Sequence, residues 1–464
     1  MPNYNLRITN WIFGFLILML FLAWFPQRGE LPLFWYDEAV NVRLSRNLAE
    51  QGYLNLQTAP GVEYEKPYQF QTSGYPLTAP LALLFRIFGF NFELARVYMF
   101  GWFTLFLLSA YLMGKRLFAS LGGEKGNWIA LAGATLLATF PPIFYHGLSI
   151  IGEIPGITFI LLSAYFLERK HILSGLCLGF ALATKPIFGP VILAAILAGW
   201  KLKWTKKEWL TWAGATVLPI VIFALVVLPS GASITDLIST YASRANNGSV
   251  WANLLSNLSR FAHELSLVHI MGLIILLAFL RKKIESNATN IFLIANALLM
   301  FLFFLQSSGW HRYLLSTQVI LLFFLPLLIY KVIPRFALPI LLVLVVSQGI
   351  YALTRSELAV LRRPWAAEVE KMIETYAPTG NIYVITSAEP AALIPSERLY
   401  FYTRFEGKTE MPNKLANLKL EANKFDYIIS KPTNPDLIAY QSEVDKYYAL
   451  VYNLSGLALY RRIK

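Results

Sequence analysis

The stretch FWYDEAVNVRLSRNLAEQGY, residues 34–53, sets two carboxylates side by side, Asp37 and Glu38, just after the first long apolar run of the chain. Further along, Lys66 stands in YEKPYQF, His146 and Glu153 flank the turn in HGLSIIGEIPG, and SSGWHRYLL carries Trp310, His311, Arg312 and Tyr313. A carboxylate within hydrogen-bond reach can take the proton of an attacking hydroxyl. Arg offers a forked set of donors and Lys a compact charge, so together they can hold a phosphate as it departs. An acid beside hydrocarbon costs a few kcal/mol unless it is paired or lies in a wet cavity, which makes Glu153 a functional candidate. Each group also has a plainer reading. Acids in the first turn of a helix complement its dipole, a lone exposed Lys is a solvated charge, and Trp, Tyr and Arg at a membrane edge act as anchors.

The elements that must position these groups are apolar. Of 464 residues 56% are hydrophobic and 14% charged, with 33 Phe, 24 Tyr and 12 Trp, which describes a polytopic α-helical membrane protein and excludes a soluble globular chain. The net charge of +13 does not point to nucleic acid, and no nucleic-acid partner is expected. The basic residues fall in short gaps between apolar segments, where they set topology. The single cysteine, Cys177, lies inside an apolar run, reads as a small buried hydrophobe and allows no internal disulfide framework.

A helix needs roughly 20 apolar residues to cross the hydrocarbon. Candidate spans lie near 8–26, 94–114, 128–146, 153–168, 209–229, 267–280, 290–308, 314–330 and 334–353, and residues 171–200 hold two short ones. The first run lacks a small-residue cleavage site before Pro26 and is expected to remain as an anchor. Basic clusters at Lys115, Arg116 and Lys125, at Arg169 and Lys170, at 201–207, at 281–283, and at Lys331 and Arg335 orient the spans. If all of them are cytoplasmic, residues 171–200 must cross twice, turning at Lys185 and Pro186, and the total becomes about eleven crossings. The N-terminus is then cytoplasmic. The Asp37 loop, the Glu153 turn, the 230–265 loop and the polar C-terminal tail share the extracytoplasmic face.

Two segments of the first outer loop are expected as juxtamembrane helices. Residues 74–90 are short, contain Pro76 and Pro80 and carry Arg86, so they are placed along the interface, with a short span as the alternative. The stretch from Asp37 to Glu50 reads as amphipathic, with Ala39, Val42, Leu44, Leu48 and Ala49 against the membrane and Arg43, Arg46 and Glu50 in water. Beyond residue 354 the composition turns mixed, and WAAEVEKMIETY, NIYVITS, RLYFYTRF, LANLKLEANK and FDYIIS, then a helix and two last strands, alternate as helices and strands. That pattern predicts a small α/β domain over 354–464, without a phosphate-binding glycine loop and accessory to a catalytic domain over 1–353 whose outer loop spans 27–92.

Taken in order, DEA after the first span, EKP in the first loop, RIFGFNFELARVYMF leading into a span, ATKP in a mid-chain hairpin and HRYLL late in the chain resemble the GT-C membrane glycosyltransferases. The resemblance is to the branch with the protein O-mannosyltransferases and the lipid A aminoarabinose transferase, and it runs over residues 1–350. It implies an enzyme of the plasma membrane of a bacterium that moves a hexosyl or pentosyl group, with inversion, from a polyprenyl-phosphate donor to a hydroxyl on a lipid, glycan or protein acceptor at the extracytoplasmic face, among membrane lipids. It also implies the roles. Asp37 matches the first-loop base or metal ligand, Glu153 the second-loop acid, and Lys66 and Arg312 the donor-phosphate contacts, although Tyr68 stands where the family has a second proline. Glu38, His146, Arg96, Lys185, His311 and Tyr313 are expected to support the site. Metal dependence is left open by the resemblance, and a divalent metal, if used, would lie on Asp37 and Glu153.

Two other classes compete. A secondary transporter would place polar groups at broken helices near the midplane of internal repeats, whereas here the strong acids lie in outer loops, and Lys185 falls at a turn. A noncatalytic subunit of a polysaccharide or lipid export system would not need Asp37. His263, Glu264 and His269 read as interfacial packing and not as a metal site. The sequons at Asn247, Asn257 and Asn453 decide nothing.

Overall fold

The computed structural model describes residues 4–29, 32, 34–64, 73–227, 235, 249–263, 278, 281, 284–307, 310–354, 365–385, 388–402, 425–433, 441–454 and 456–463. Lys66, Glu264, His269, the expected span at 267–280 apart from residue 278, most of the 230–265 loop and the expected helix LANLKLEANK lie outside the described residues, as do the side chains of His263 and His311. The chain divides into two compact units. One comprises residues 1–26, 73–77 and 97–360, and the other comprises 27–72, 78–96 and 361–464, so the first outer loop falls with the C-terminal residues.

The first unit is helical. Its elements are α1 (Tyr4–Trp24), the greater part of α4 (Phe92–Leu117), α5 (Gly123–Thr139), α6 (Pro141–Leu148), α7 (Glu153–Phe166), α8 (His171–Thr184), α9 (Val191–Lys201), α10 (Lys206–Val227), α11 (Val250–His263), α12 (Ala288–Gln306), α13 (His311–Val332) and α14 (Ala337–Thr354). Among the described residues five helices are long and apolar enough to cross a membrane, or six if α5 and α6, bent by 70° at their junction, count as one span. The break falls at Phe140, held extended before Pro141 and Pro142, because a proline ring disfavours helical backbone in the preceding residue. The same rule separates α8 from α9, where Lys185 is extended ahead of Pro186. The other expected crossings fall on apolar helices of 10–17 residues or outside the described residues.

Small residues set the close packing. Gly175 and Gly179 face α10 one turn apart, and a Cβ on either would strike the carbonyl oxygen of Trp212 or Thr216. Such small-xxx-small surfaces let helix backbones approach where lipid supplies no hydrophobic drive for association. Ion pairs and hydrogen bonds gather the basic helix ends. Arg116, closing α4, donates to Tyr165 O and, at 2.7 Å, to Glu168 Oε2. Thr289, opening α12, donates to the other Glu168 oxygen at 2.9 Å, and His171, opening α8, lies 3.4 Å from Glu208 near the start of α10.

The second unit joins helix α2 (Tyr36–Gln51), the hairpin β1 (Gln57–Ala59) and β2 (Val62–Glu63), most of α3 (Tyr75–Phe88), and an α/β region. That region holds α15 (Trp365–Tyr376), β3 (Ile382–Ile385), α16 (Ala388–Leu393), β4 (Leu399–Tyr402), β5 (Tyr427–Ser430), α17 (Gln441–Tyr447), β6 (Tyr448–Leu454) and β7 (Leu457–Arg462). The five-stranded sheet has the order β4-β3-β5-β7-β6. Its first three strands are parallel, with Ile382 opposite Leu399 and Tyr427, and β7 runs antiparallel to both β5 and β6. Tyr383, Ile385, Phe425, Ile428, Tyr448 and Tyr460 fill one face of it.

The amphipathic expectation for α2 is overturned. Asp37 through Asn47, eleven consecutive residues, are buried, and Arg43 and Arg46, expected in water, are 3% and 6% exposed. Burial over three turns covers every face of a helix, so α2 is an internal strut and not a surface helix.

Candidate active site

In the helical unit three helix ends converge on one carboxylate. Glu153 is the first residue of α7, Lys185 follows the last residue of α8, and Arg312 lies in the first turn of α13. Lys185 Nζ donates to Glu153 Oε1, and Arg312 Nε stands 3.8 Å from the same oxygen. Glu153 is fully buried, and the Lys185 and Arg312 side chains are 5% and 12% exposed. His146, in the last turn of α6, also acts electrostatically on Glu153.

Glycines bring these ends together. A Cβ on Gly156 would collide with the Phe188 ring in the turn after Lys185, and one on Gly152 would lie 3.1 Å from the Thr184 carbonyl oxygen. Gly74 N donates to that same oxygen at 2.8 Å, closing the end of α8. The helix ends suit the charges they carry. The N-terminus of α7 favours Glu153, and the C-terminus of α8 favours Lys185. Arg312 sits at an N-terminus, which opposes its charge, and it is offset by Glu153 and by the rings of Trp310 and Tyr313, whose centroids lie 5.1 and 5.7 Å from its guanidinium carbon.

Two cations, Lys185 and Arg312, thus flank one buried carboxylate oxygen, Glu153 Oε1. The second oxygen, Glu153 Oε2, is buried without a hydrogen bond among the described residues. The same surroundings oppose a divalent cation on Glu153, and among the described residues no three His, Cys, Asp or Glu side chains are grouped to hold one.

The adjacent acids of α2 belong to the other unit and differ sharply from each other. Glu38 is fully buried and takes both arms of Arg96, with Nη1 at 2.5 Å and Nη2 at 3.1 Å, and Arg96 Nη2 also donates to Pro32 O at 2.8 Å. A bidentate pair of this kind commits Glu38 to holding the start of α2. Asp37, its neighbour, is 8% exposed. Sequence reasoning missed Arg43 and Arg46 as structural groups. It also passed over the small residues Gly175 and Gly179, whose four-residue spacing was the available signal.

The fold is similar to those of solved GT-C membrane glycosyltransferases. ArnT from Cupriavidus metallidurans bound to undecaprenyl phosphate superposes with a TM-score of 0.64 at 11% identity, over 97% of this chain and 98% of its own. Its apo form gives 0.60 at 11% identity, over 98% of each chain. The Archaeoglobus fulgidus oligosaccharyltransferase in complex with zinc and sulfate gives 0.51 at 14% identity, over 93% of this chain and 70% of its own. At such identities the likeness is one of fold. The sequence model of glycosyltransferase family 87 matches residues 74–315, more than half the chain, and this chain belongs to that family. No curated protein sequence matches it.

Proposed function

We propose that the chain transfers a glycosyl group from a polyprenyl-phosphate donor to an acceptor hydroxyl at the extracytoplasmic membrane face, with inversion. The observation that supports this most is the buried set of Glu153, Lys185 and Arg312, which falls wholly inside the segment matched by the glycosyltransferase family. The undecaprenyl phosphate bound to the structurally similar ArnT agrees with a lipid-phosphate donor.

In this reading Asp37 takes the proton of the acceptor hydroxyl as its oxygen attacks the anomeric carbon. The bond from that carbon to the phosphate oxygen breaks, and the electron pair leaves with the carrier as a phosphate monoester. Cations can stabilise that charge in place of a general acid. Arg312 and Lys185, with Lys66, supply them, and Tyr313 and Trp310 hold the Arg312 guanidinium. Glu153, paired with Lys185 and flanked by Arg312 through one of its oxygens, orients both and does not act as a second base. Glu38 and Arg96 fix the start of α2. A single displacement without a covalent intermediate inverts the anomeric centre.

The test uses purified full-length protein and a panel of radiolabelled polyprenyl-phosphate sugars. Wild type is expected to release free carrier lipid from one or a few donors, and Asp37→Asn to lose about 100-fold or more in turnover. Retention of wild-type turnover by Asp37→Asn would overturn the role of Asp37. Failure of every donor to yield carrier would overturn the polyprenyl-phosphate reading.

A further inference from the structure

Helix α2, which carries Asp37, is poor in apolar residues yet buried along its first three turns, so its polar groups must find partners. Its two arginines find them in the C-terminal region. Arg43 Nη1 donates to Ile394 O at 2.9 Å, and Arg46 Nη1 donates to the same oxygen at 3.1 Å and to Ala392 O at 3.4 Å. Ser396 Oγ donates to Glu50 Oε2 at 2.8 Å, and Gln57 donates to Ser396 O. Arg46 is further held by Glu50 Oε1 at 2.6 Å and by the Phe90 ring at 4.1 Å.

The acceptors are carbonyls at the end of α16 and just beyond it, the groups a helix leaves without internal partners and where its partial negative charge collects. Two guanidiniums converging on Ile394 O repel each other, and of the two it is Arg46 that Glu50 accepts a hydrogen bond from. A desolvated charged latch of this kind is a poor way to add stability compared with apolar packing. What it does add is register, because several directional bonds permit one placement of residues 392–396 along α2.

We infer that Arg43 and Arg46 are positioning residues, and that through them the C-terminal region sets the placement of the Asp37 carboxylate. This rests on the reading of Asp37 as base. Asp37 lies six residues from Arg43 and nine from Arg46 on one helix, about 9 and 14 Å along its axis. A helix this short moves as a rigid body, so a slide at the latch is carried to its first turn. Misplacement by about 1 Å can cost about 100-fold in rate. The C-terminal region is then part of the catalytic apparatus and not an accessory.

The experiment compares full-length wild type, Arg46→Ala, Arg46→Lys, Asp37→Glu and the Arg46→Ala/Asp37→Glu double variant. Turnover is expressed per donor-binding site, so that loss of folded protein drops out. Arg46→Ala is expected to lower kcat about 10- to 100-fold with the donor KM within about twofold, and Arg46→Lys to recover part of it, since Lys keeps the charge but not the fork. In the Asp37→Glu background, where the carboxylate is already displaced, Arg46→Ala is expected to cost less than about threefold more, since residues acting as a unit are non-additive. The inference is overturned by Arg46→Ala at wild-type kcat per site, by a loss carried by donor KM alone, or by an undiminished loss in Asp37→Glu. Wild-type turnover in Asp37→Glu and Asp37→Asn alike would instead remove the reading of Asp37 and leave the latch a structural contact.

Discussion

Lys185 and Glu153 form a buried ion pair across the ends of α8 and α7, and the guanidinium of Arg312 flanks the same carboxylate oxygen at 3.8 Å. The pair couples two consecutive helices whose chain reverses between them, so its charges fix helix ends as well as local potential.

Removing the carboxylate leaves the buried Lys185 and the neighbouring Arg312 without the acid they share. Breaking a buried pair from one side costs about 3–5 kcal/mol. Glu153→Ala is therefore expected to lower the unfolding midpoint of the purified protein by several degrees, and Glu153→Ala/Lys185→Ala to recover part of that loss. Thermal unfolding of the single and double variants in one detergent checks this. A double variant less stable than Glu153→Ala would show that the pair does not carry the coupling.

Much of the helical unit was legible because apolar length is a strong signal. The turn at Lys185 and Pro186 lies where charge parity required one, whereas the proline break at 140–142 falls inside the expected span 128–146 and was not foreseen. The side-chain types of the candidate site were legible too, as acids and cations at segment ends. Their pairing was not, since Glu153 and Lys185 are 32 residues apart and nothing in spacing selects one partner from several. The burial of α2 was least legible of all. Asn41, Arg43, Ser45, Arg46 and Asn47 read as a wet surface, and what covers Arg46 is a segment 346 residues further on.

If Arg312 holds the donor phosphate, its loss falls on donor binding. A hydrogen bond to a charged group is worth about 1.5–3 kcal/mol, or roughly 10- to 150-fold in affinity. Arg312→Ala is expected to raise the donor KM by such a factor, and Arg312→Lys by less, with the acceptor KM within about twofold in both. Steady-state kinetics with each substrate varied in turn separates the two.

The contact between α8 and α10 depends on the missing side chains of Gly175 and Gly179. Gly179→Val would drive a branched side chain into the Thr216 carbonyl and the Pro219 ring, and backbone cannot yield there as a flexible side chain would. Overpacking typically costs about 1–3 kcal/mol. The expected result is reduced yield of monodisperse protein and a lower unfolding midpoint. Gly214→Val, on α10 where a Cβ meets nothing within 4 Å, is expected to behave as wild type in the same size-exclusion and thermal assays.

Glu370, on α15, lines a cleft of about 700 Å³ with Glu93, Glu374 and Arg398. Burial first, and then the nearby Glu374 and Glu93, hold its carboxyl above the ordinary value of 4.5, with Arg46 acting in the opposite sense. The folded chain thus binds this proton more tightly than the unfolded chain does. Stability is highest with Glu370 protonated, begins to fall as pH rises past about 4.5, and has lost this contribution once pH exceeds the raised folded value. Glu370→Gln, which cannot ionise, is expected to raise the unfolding midpoint of the full-length protein at pH 7 and to match wild type at pH 4. Unfolding midpoints across that range check the sign, and a variant less stable than wild type at pH 7 would show that the ionised carboxylate is instead engaged by a cation there.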